Sequence, residues 1–132
     1  MGLDQYAFLT REELTQDTDP DVGVKPVKEY QWRKHAKLQE YFEDLVDVGL
    51  LKPLYPDRSF NCNPLKLNLT VIDGLEKLIR NDAMPKSDGG FFYGHQFQDE
   101  SAKEYKEQDL KFCADARDAL THDGYVYYDC WY

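Results

Sequence analysis

No stretch of this chain approaches the ~18 consecutive apolar residues a membrane-crossing helix requires, so no spanning segment is expected. The opening Met1-Gly2-Leu3-Asp4-Gln5-Tyr6 also does not read as a targeting or lipidation signal. Asp4 and Gln5 interrupt any apolar core, and Tyr6 stands where myristoylation needs Ser or Thr. Cysteine is scarce and odd in number. Cys62, Cys113 and Cys130 are too widely spaced for a zinc knuckle or a CxxC pair, which points to reduced thiols and a cytoplasmic setting. Positive charge is also in short supply, with 16 Lys and Arg against 25 Asp and Glu and a formal net charge of −9. Such a field repels a phosphate backbone and disfavours general nucleic-acid binding. It suits a basic partner protein, or simply keeps a small domain dispersed.

Chemical signatures are equally thin. There is no Gly-x-Ser-x-Gly elbow, and no cysteine has an adjacent histidine or helix start to activate it. Gly89-Gly90 and Gly94 lack both the Lys-Ser/Thr that follows a phosphate loop and the spacing of a dinucleotide turn. The three histidines, His35, His95 and His122, show no HxH or HxxxH spacing. A composite metal site from His95, Asp99, His35 and Cys62 would need ligands to converge from four separate segments. No catalytic residue, metal or cofactor is therefore assigned.

What is present suits one domain over residues 1–132, a size that buries roughly two-thirds of the surface of the unfolded chain. Aromatic residues are plentiful, with ten Tyr and seven Phe, and Tyr serves both core edges and contact surfaces. Leu3 to Leu9 reads as a strand with Leu3, Gln5, Ala7 and Leu9 on one face. A loop rich in Thr, Asp, Pro and Gly, expected to be mobile, follows over about 10–27. A first helix is expected from about Lys28 to Val48, stopped by Gly49. The Pro- and Asn-rich segment 50–67 is irregular, with a brief extended piece near Leu65 to Leu69. Thr70 with Asp73 marks the start of a second helix, and Ser101 with Glu104 that of a third. The apolar stripe of the third helix runs through Ala102, Tyr105, Phe112, Cys113, Ala116 and Leu120, with Asp109 intruding.

Between them, Gly89 to Phe97 reads as an aromatic strand, and after the turn Asp123-Gly124 the chain closes on a strand from Tyr125 to Tyr132. The expected fold is α+β: a small, mainly antiparallel sheet of the N- and C-terminal strands plus the 90–97 strand, packed by three helices. The last strand is too hydrophobic for an edge and is expected to lie centrally, paired with the first.

Trp32-Arg33-Lys34-His35 is a basic knot on an acidic chain. Its favoured reading is internal neutralisation of carboxylates such as Asp4, Asp109 or Asp129. Its alternative is a ligand site gathering Asp4, Trp32, Arg33, Lys34, Tyr93 and His95. His35 is expected on a helix flank, His122 in an exposed turn, and Cys113 as inert core.

Met1-Gly2-Leu3-Asp4-x-Tyr6, Trp32-Arg33-Lys34 and Gly90-Phe91-Phe92-Tyr93-Gly94, in that order, resemble a family of short bacteriophage and prophage proteins. The resemblance covers most of the chain apart from the 10–27 loop and the 50–64 segment, and the family has no established activity. A kinase-like label carried by some members does not suit this chain, which lacks both the length and the nucleotide-binding glycines. Departures from the commoner pattern are Gln5 in place of an apolar residue and a longer Tyr-rich tail. The resemblance implies a viral accessory protein of the bacterial cytoplasm, acting without catalysis by binding a host or defence protein. The alternative is a small-molecule or nucleotide-binding protein, or a minor enzyme, with its site around the WRK and GFFYG blocks.

Overall fold

The computed structural model describes residues 2–15, 25–90 and 93–132. Residues 16–24 of the expected loop, and Phe91 and Phe92 of the expected aromatic strand, lie outside the described residues. The class is α+β, with three helices packed on a four-stranded antiparallel sheet.

Strand β1 (Asp4–Thr10) alternates as its sequence demands, with Leu3, Gln5, Ala7 and Leu9 buried and Asp4, Tyr6 and Phe8 only partly so. Strand β4 (Tyr125–Trp131) pairs with it along its whole length, from Asp4 opposite Trp131 to Thr10 opposite Tyr125. The expected union of the first and last strands is therefore present, and β4 is central. On the other side of β1 lies β2 (Lys28–Arg33), and beyond β4 the two-residue β3 (Leu65–Lys66), giving the order β2-β1-β4-β3. The brief extended piece near Leu65 is thus the second edge strand.

Helices α1 (Ala36–Asp47), α2 (Leu69–Arg80) and α3 (Gln98–Thr121) complete the core. Phe42 of α1 stacks on Tyr128 of β4 at 4.0 Å between centroids, and Phe112 of α3 meets Trp32 of β2 edge-on at 5.5 Å. All four rings are buried, and burying a Phe-sized side chain stabilises by about 1.5–3 kcal/mol relative to exposure. Arg117 of α3 fastens α2, reaching Asp73 at 2.8 Å and Glu76 at 2.6 Å. The edge of β2 is covered by α3: Gln108 Nε2 donates to the Gln31 carbonyl at 2.8 Å, and the Arg33 amide donates to Tyr105 Oη at 3.2 Å. That cover removes hydrogen-bonding groups an open edge would offer another chain.

Four expectations are corrected. Residues 28–33 form a strand, so the first helix begins only at Ala36. Tyr30 and Trp32 recur with period two, and Lys34, at φ 53°, turns the backbone out of the strand before the helix can start. The cap of α2 is Asn68, whose Oδ1 accepts from the Val71 amide at 3.0 Å. Thr70 lies inside the helix, and Asp73 serves Arg117 instead. Helix α3 begins three residues before Ser101, and the Gln98 side chain accepts from the Ser87 amide at 2.8 Å.

The described part of the expected 90–97 strand is no strand. Gly90 at φ 80° and Gly94 at φ 77° bend the backbone, and His95–Phe97 forms a single 3-10 turn. The places flanking the β1–β4 pair are taken by β2 and β3.

Gly74 has a packing reason. A Cβ there would sit 3.0 Å from Tyr41 Oη, which donates to the Val71 carbonyl at 2.7 Å. The glycine weakens α2 by roughly 1 kcal/mol relative to Ala but admits a bond from α1.

Candidate functional site

The basic knot splits between the two faces of the sheet, because successive side chains of a strand point oppositely. Trp32 points into the core and its Nε1 donates to Asp109 Oδ1 at 2.7 Å. His35 is fully buried at the head of α1, a correction to the helix-flank expectation, with Nε2 2.7 Å from Asp109 Oδ2. An Nε2–H satisfies that carboxylate oxygen, while Nδ1 has no hydrogen-bond partner among the described residues. The imidazole stacks on Tyr105 at 5.3 Å.

This interior assembly extends further. Gln5 accepts from the His35 amide at 2.9 Å, and its Nε2 reaches the His35 carbonyl at 3.0 Å and Tyr128 Oη at 2.9 Å. Tyr128 in turn donates to Gln39 Oε1, and Gln39 Nε2 reaches Glu43 at 3.1 Å. Burial, with the nearby Cys130 thiol adding to it, holds the Tyr128 hydroxyl well above its ordinary range, so it remains a proton donor at neutral pH. A general base must come within hydrogen-bond reach of the proton it removes. His35 and Asp109 have no exposed surface, so they brace β2, α1 and α3 rather than meet a substrate.

Asp4, Arg33 and Lys34 stand at one end of the sheet. Arg33, on the face opposite Trp32, pairs with Asp4 at 2.7 Å, and Asp4 stands directly across from Trp131. Lys34 packs against Gly94, where an added Cβ would lie 2.9 Å from the Lys34 Cβ. The WRK and GFFYG blocks therefore meet through a backbone contact that only glycine permits. Tyr93 donates to Glu43 at 3.0 Å and its ring meets Tyr132 at 5.5 Å. Burial and then the Glu43 charge raise its hydroxyl pKa. His95 is exposed, with Nδ1 on the Ser87 carbonyl.

Trp131 is 61% exposed on the same sheet face as Asp4 and Arg33. The face continues through Tyr6 and Gln31 to Phe8 and Glu29, beside a shallow depression of about 370 Å³. Its far end is crossed by residues 11–15: the Leu14 amide donates to Tyr127 Oη at 2.8 Å, and Glu13 pairs with Lys66.

Comparison with protein-family models, curated proteins and solved structures finds no match. The geometry of the chain itself must carry the functional reading.

Of the six residues the sequence gathered, Asp4, Trp32, Arg33, Lys34, Tyr93 and His95, the structure pairs Arg33 with Asp4 and packs Lys34 on Gly94, between Tyr93 and His95. Trp32 faces away from them. Trp131 was missed as a surface residue, although its odd-numbered register with Asp129 and Tyr127 opposite buried Val126, Tyr128 and Cys130 is visible in the sequence. The Asp129 carboxyl is not served by the basic knot. Burial raises its pKa, and the Cys130 amide donates to it at 2.8 Å. The four segments of the composite metal reading hold other partners, with Asp99 on Lys37 at 2.7 Å and the Cys62 amide on the Cys130 carbonyl at 2.7 Å.

Cys113 is buried, and desolvation pushes its thiol up to about 12. Cys130 is likewise buried and pushed up to about 12. Cys62 is exposed, with its pKa raised by burial and by Asp129. Titration of the native protein with a chromogenic disulfide is expected to consume one thiol, at Cys62, and three after denaturation. A second thiol reacting natively at a similar rate would contradict the sealed core.

Proposed function

We propose that this chain is a non-enzymatic protein-binding module, a bacteriophage accessory protein that occupies a host or defence protein with the sheet face that carries Asp4, Arg33 and Trp131. The observation that carries the reading is Trp131, 61% exposed beside the Arg33–Asp4 ion pair at the end of the central strand β4. Trp, Tyr and Arg are the residues that concentrate binding energy at protein interfaces, and here Trp131, Tyr6 and Arg33 share one face. The ladder to Asp4 on one side, with the Cys62 amide on the Cys130 carbonyl at 2.7 Å and the Tyr132 amide on Asn61 Oδ1 at 2.9 Å on the other, leaves the Trp131 backbone little conformational freedom to lose on binding. The formal charge of −9 favours a partner whose rim is basic. The bacteriophage setting is supported by the resemblance in the MGLDxY, WRK and GFFYG blocks.

The alternative, a small-molecule or nucleotide site around those same blocks, has less behind it. Of its residues Trp32 is committed to the interior, and the Gly94 backbone closes against Lys34.

Affinity capture from bacterial lysate with three baits tests the proposal: the unaltered chain, Trp131→Ala, and Val48→Ala, which removes an apolar group exposed elsewhere. One protein retained by the first and third, and depleted about tenfold or more by Trp131→Ala, is expected for loss of an interface anchor. Equal recovery with Trp131→Ala would remove the sheet face from consideration.

A further inference from the structure

A second surface lies away from the sheet face, where α3 outruns the elements beneath it. Its 24 residues span about 36 Å at 1.5 Å per residue, against about 24 Å for the seven residues of β4. Its N-terminal turns therefore overhang. Between them, the end of α2 and the first turn of α1 is a groove of about 500 Å³, within the range of small-molecule sites. Its floor is apolar, with Ile79, Met84 and Ala102, of which Ile79 is 1% exposed and Met84 8%. Its walls carry Lys37, Lys103 and Lys106 against Asp82 and Asp99, a local excess of positive charge on a chain whose net charge is −9.

The lysines are not equivalent. Lys37 pairs with Asp99 at 2.7 Å, and Lys106 with Asp82 at 2.8 Å. The Lys37 side chain is only 13% exposed, so its ammonium is held in place by the packing of its stem, whereas the Asp99 side chain is 79% exposed and Asp82 78%. Asp82 can turn into solvent at little cost, since exposed ion pairs are weak, and Asp99 is itself exposed, so an anion that replaces it on Lys37 leaves its carboxylate in water. Lys103 has neither hydrogen bond nor ion pair among the described residues. Asp99, Lys103 and Lys106 stand at i, i+4 and i+7 on α3, so they share one face of the helix above the floor. The Asp99 carboxyl is held below its usual range, first by Lys37 and more distantly by Lys86, a further sign of the cationic field there.

From this we infer that the groove binds a small organic anion, an apolar or aromatic body carrying one carboxylate or phosphate. The body lies on Ile79, Met84 and Ala102. The anionic head takes Lys103 and displaces Asp99 from Lys37. This surface is separate from the sheet face, so the failure of either proposal leaves the other standing.

The probe is 4-phenylbutyrate, titrated into the ¹⁵N-labelled chain and followed by amide chemical shifts. Saturable shifts at Asp82–Met84 and Ala102–Lys106 are expected, with a Kd on the order of 0.1–1 mM for a ligand of about twelve non-hydrogen atoms. The uncharged 4-phenylbutan-1-ol, with the same body, is expected to bind about fivefold or more weaker, as is 4-phenylbutyrate to Lys103→Gln. Three outcomes would overturn the inference: shifts that do not saturate, shifts centred on Trp131 and Tyr132, or an alcohol that binds as tightly as the acid.

Discussion

Replacing Asp109 with alanine is expected to lower the unfolding free energy by about 3–5 kcal/mol, the largest effect of any single polar substitution in this chain. The carboxylate is fully buried and accepts from Trp32 Nε1 and His35 Nε2, both at 2.7 Å. Removing it strands two buried donors on two different elements, β2 and the head of α1, with no water-accessible surface to recover them. It also leaves a void beneath Phe112 and Tyr105, the aromatic neighbours of Trp32 and His35. A domain of this size commonly has only 5–15 kcal/mol in total, so the variant is expected to sit close to the edge of folding. Asp109→Asn preserves the shape and one acceptor and is expected to lose about half as much. Urea titration by tryptophan fluorescence measures both. A loss below about 1 kcal/mol for the alanine variant would show that the trio is not a brace.

Gln5→Leu is expected to cost about 2–4 kcal/mol, although it puts an apolar residue at a fully buried position. The Gln5 amide is the sole side chain among the described residues seen to engage both the amide and the carbonyl of His35, at 2.9 and 3.0 Å, and it also meets Tyr128 Oη at 2.9 Å. Leucine matches its volume but supplies no polar atom. The His35 amide would then be buried without its acceptor, while the His35 carbonyl keeps the Gln39 amide at 3.2 Å, and an unsatisfied buried group costs its full desolvation. Thermal unfolding is expected to fall by roughly 8–15 °C. A variant as stable as the parent would mean that the His35 backbone finds other partners.

The boundaries of α1 and α2 show how local and long-range signals compete. Apolar spacing from Trp32 through Ala36 to Phe42 fits a helix as well as it fits a strand followed by a helix, because Trp32 is buried either way. Only Lys34 at positive φ, and the vacancy beside β1, separate the two readings. The start of α2 was misplaced because Thr70 and Asn68 are both good caps, and the preference between them depends on which amide lies within reach. Tyr93 stands in a segment of high strand propensity, yet its contacts with Glu43 and Tyr132 and the positive φ of Gly94 after it hold it out of the sheet.

The amino-acid order by itself determined the α+β class, the alternation that sends Leu3, Gln5, Ala7 and Leu9 inward, the pairing of the aromatic last strand with the first, the stop at Gly49 and the buried place of Cys113. These depend on periodicity and on local backbone preference, which a chain carries wherever it is. Tertiary structure alone decided that Asp109 meets Trp32 and His35 across more than seventy residues, that Gly94 abuts Lys34, and that the overhang of α3 opens a groove beside Lys103. Such contacts join segments whose separation in sequence carries no distance information, and they are set by which surfaces remain to be buried once the strands have paired.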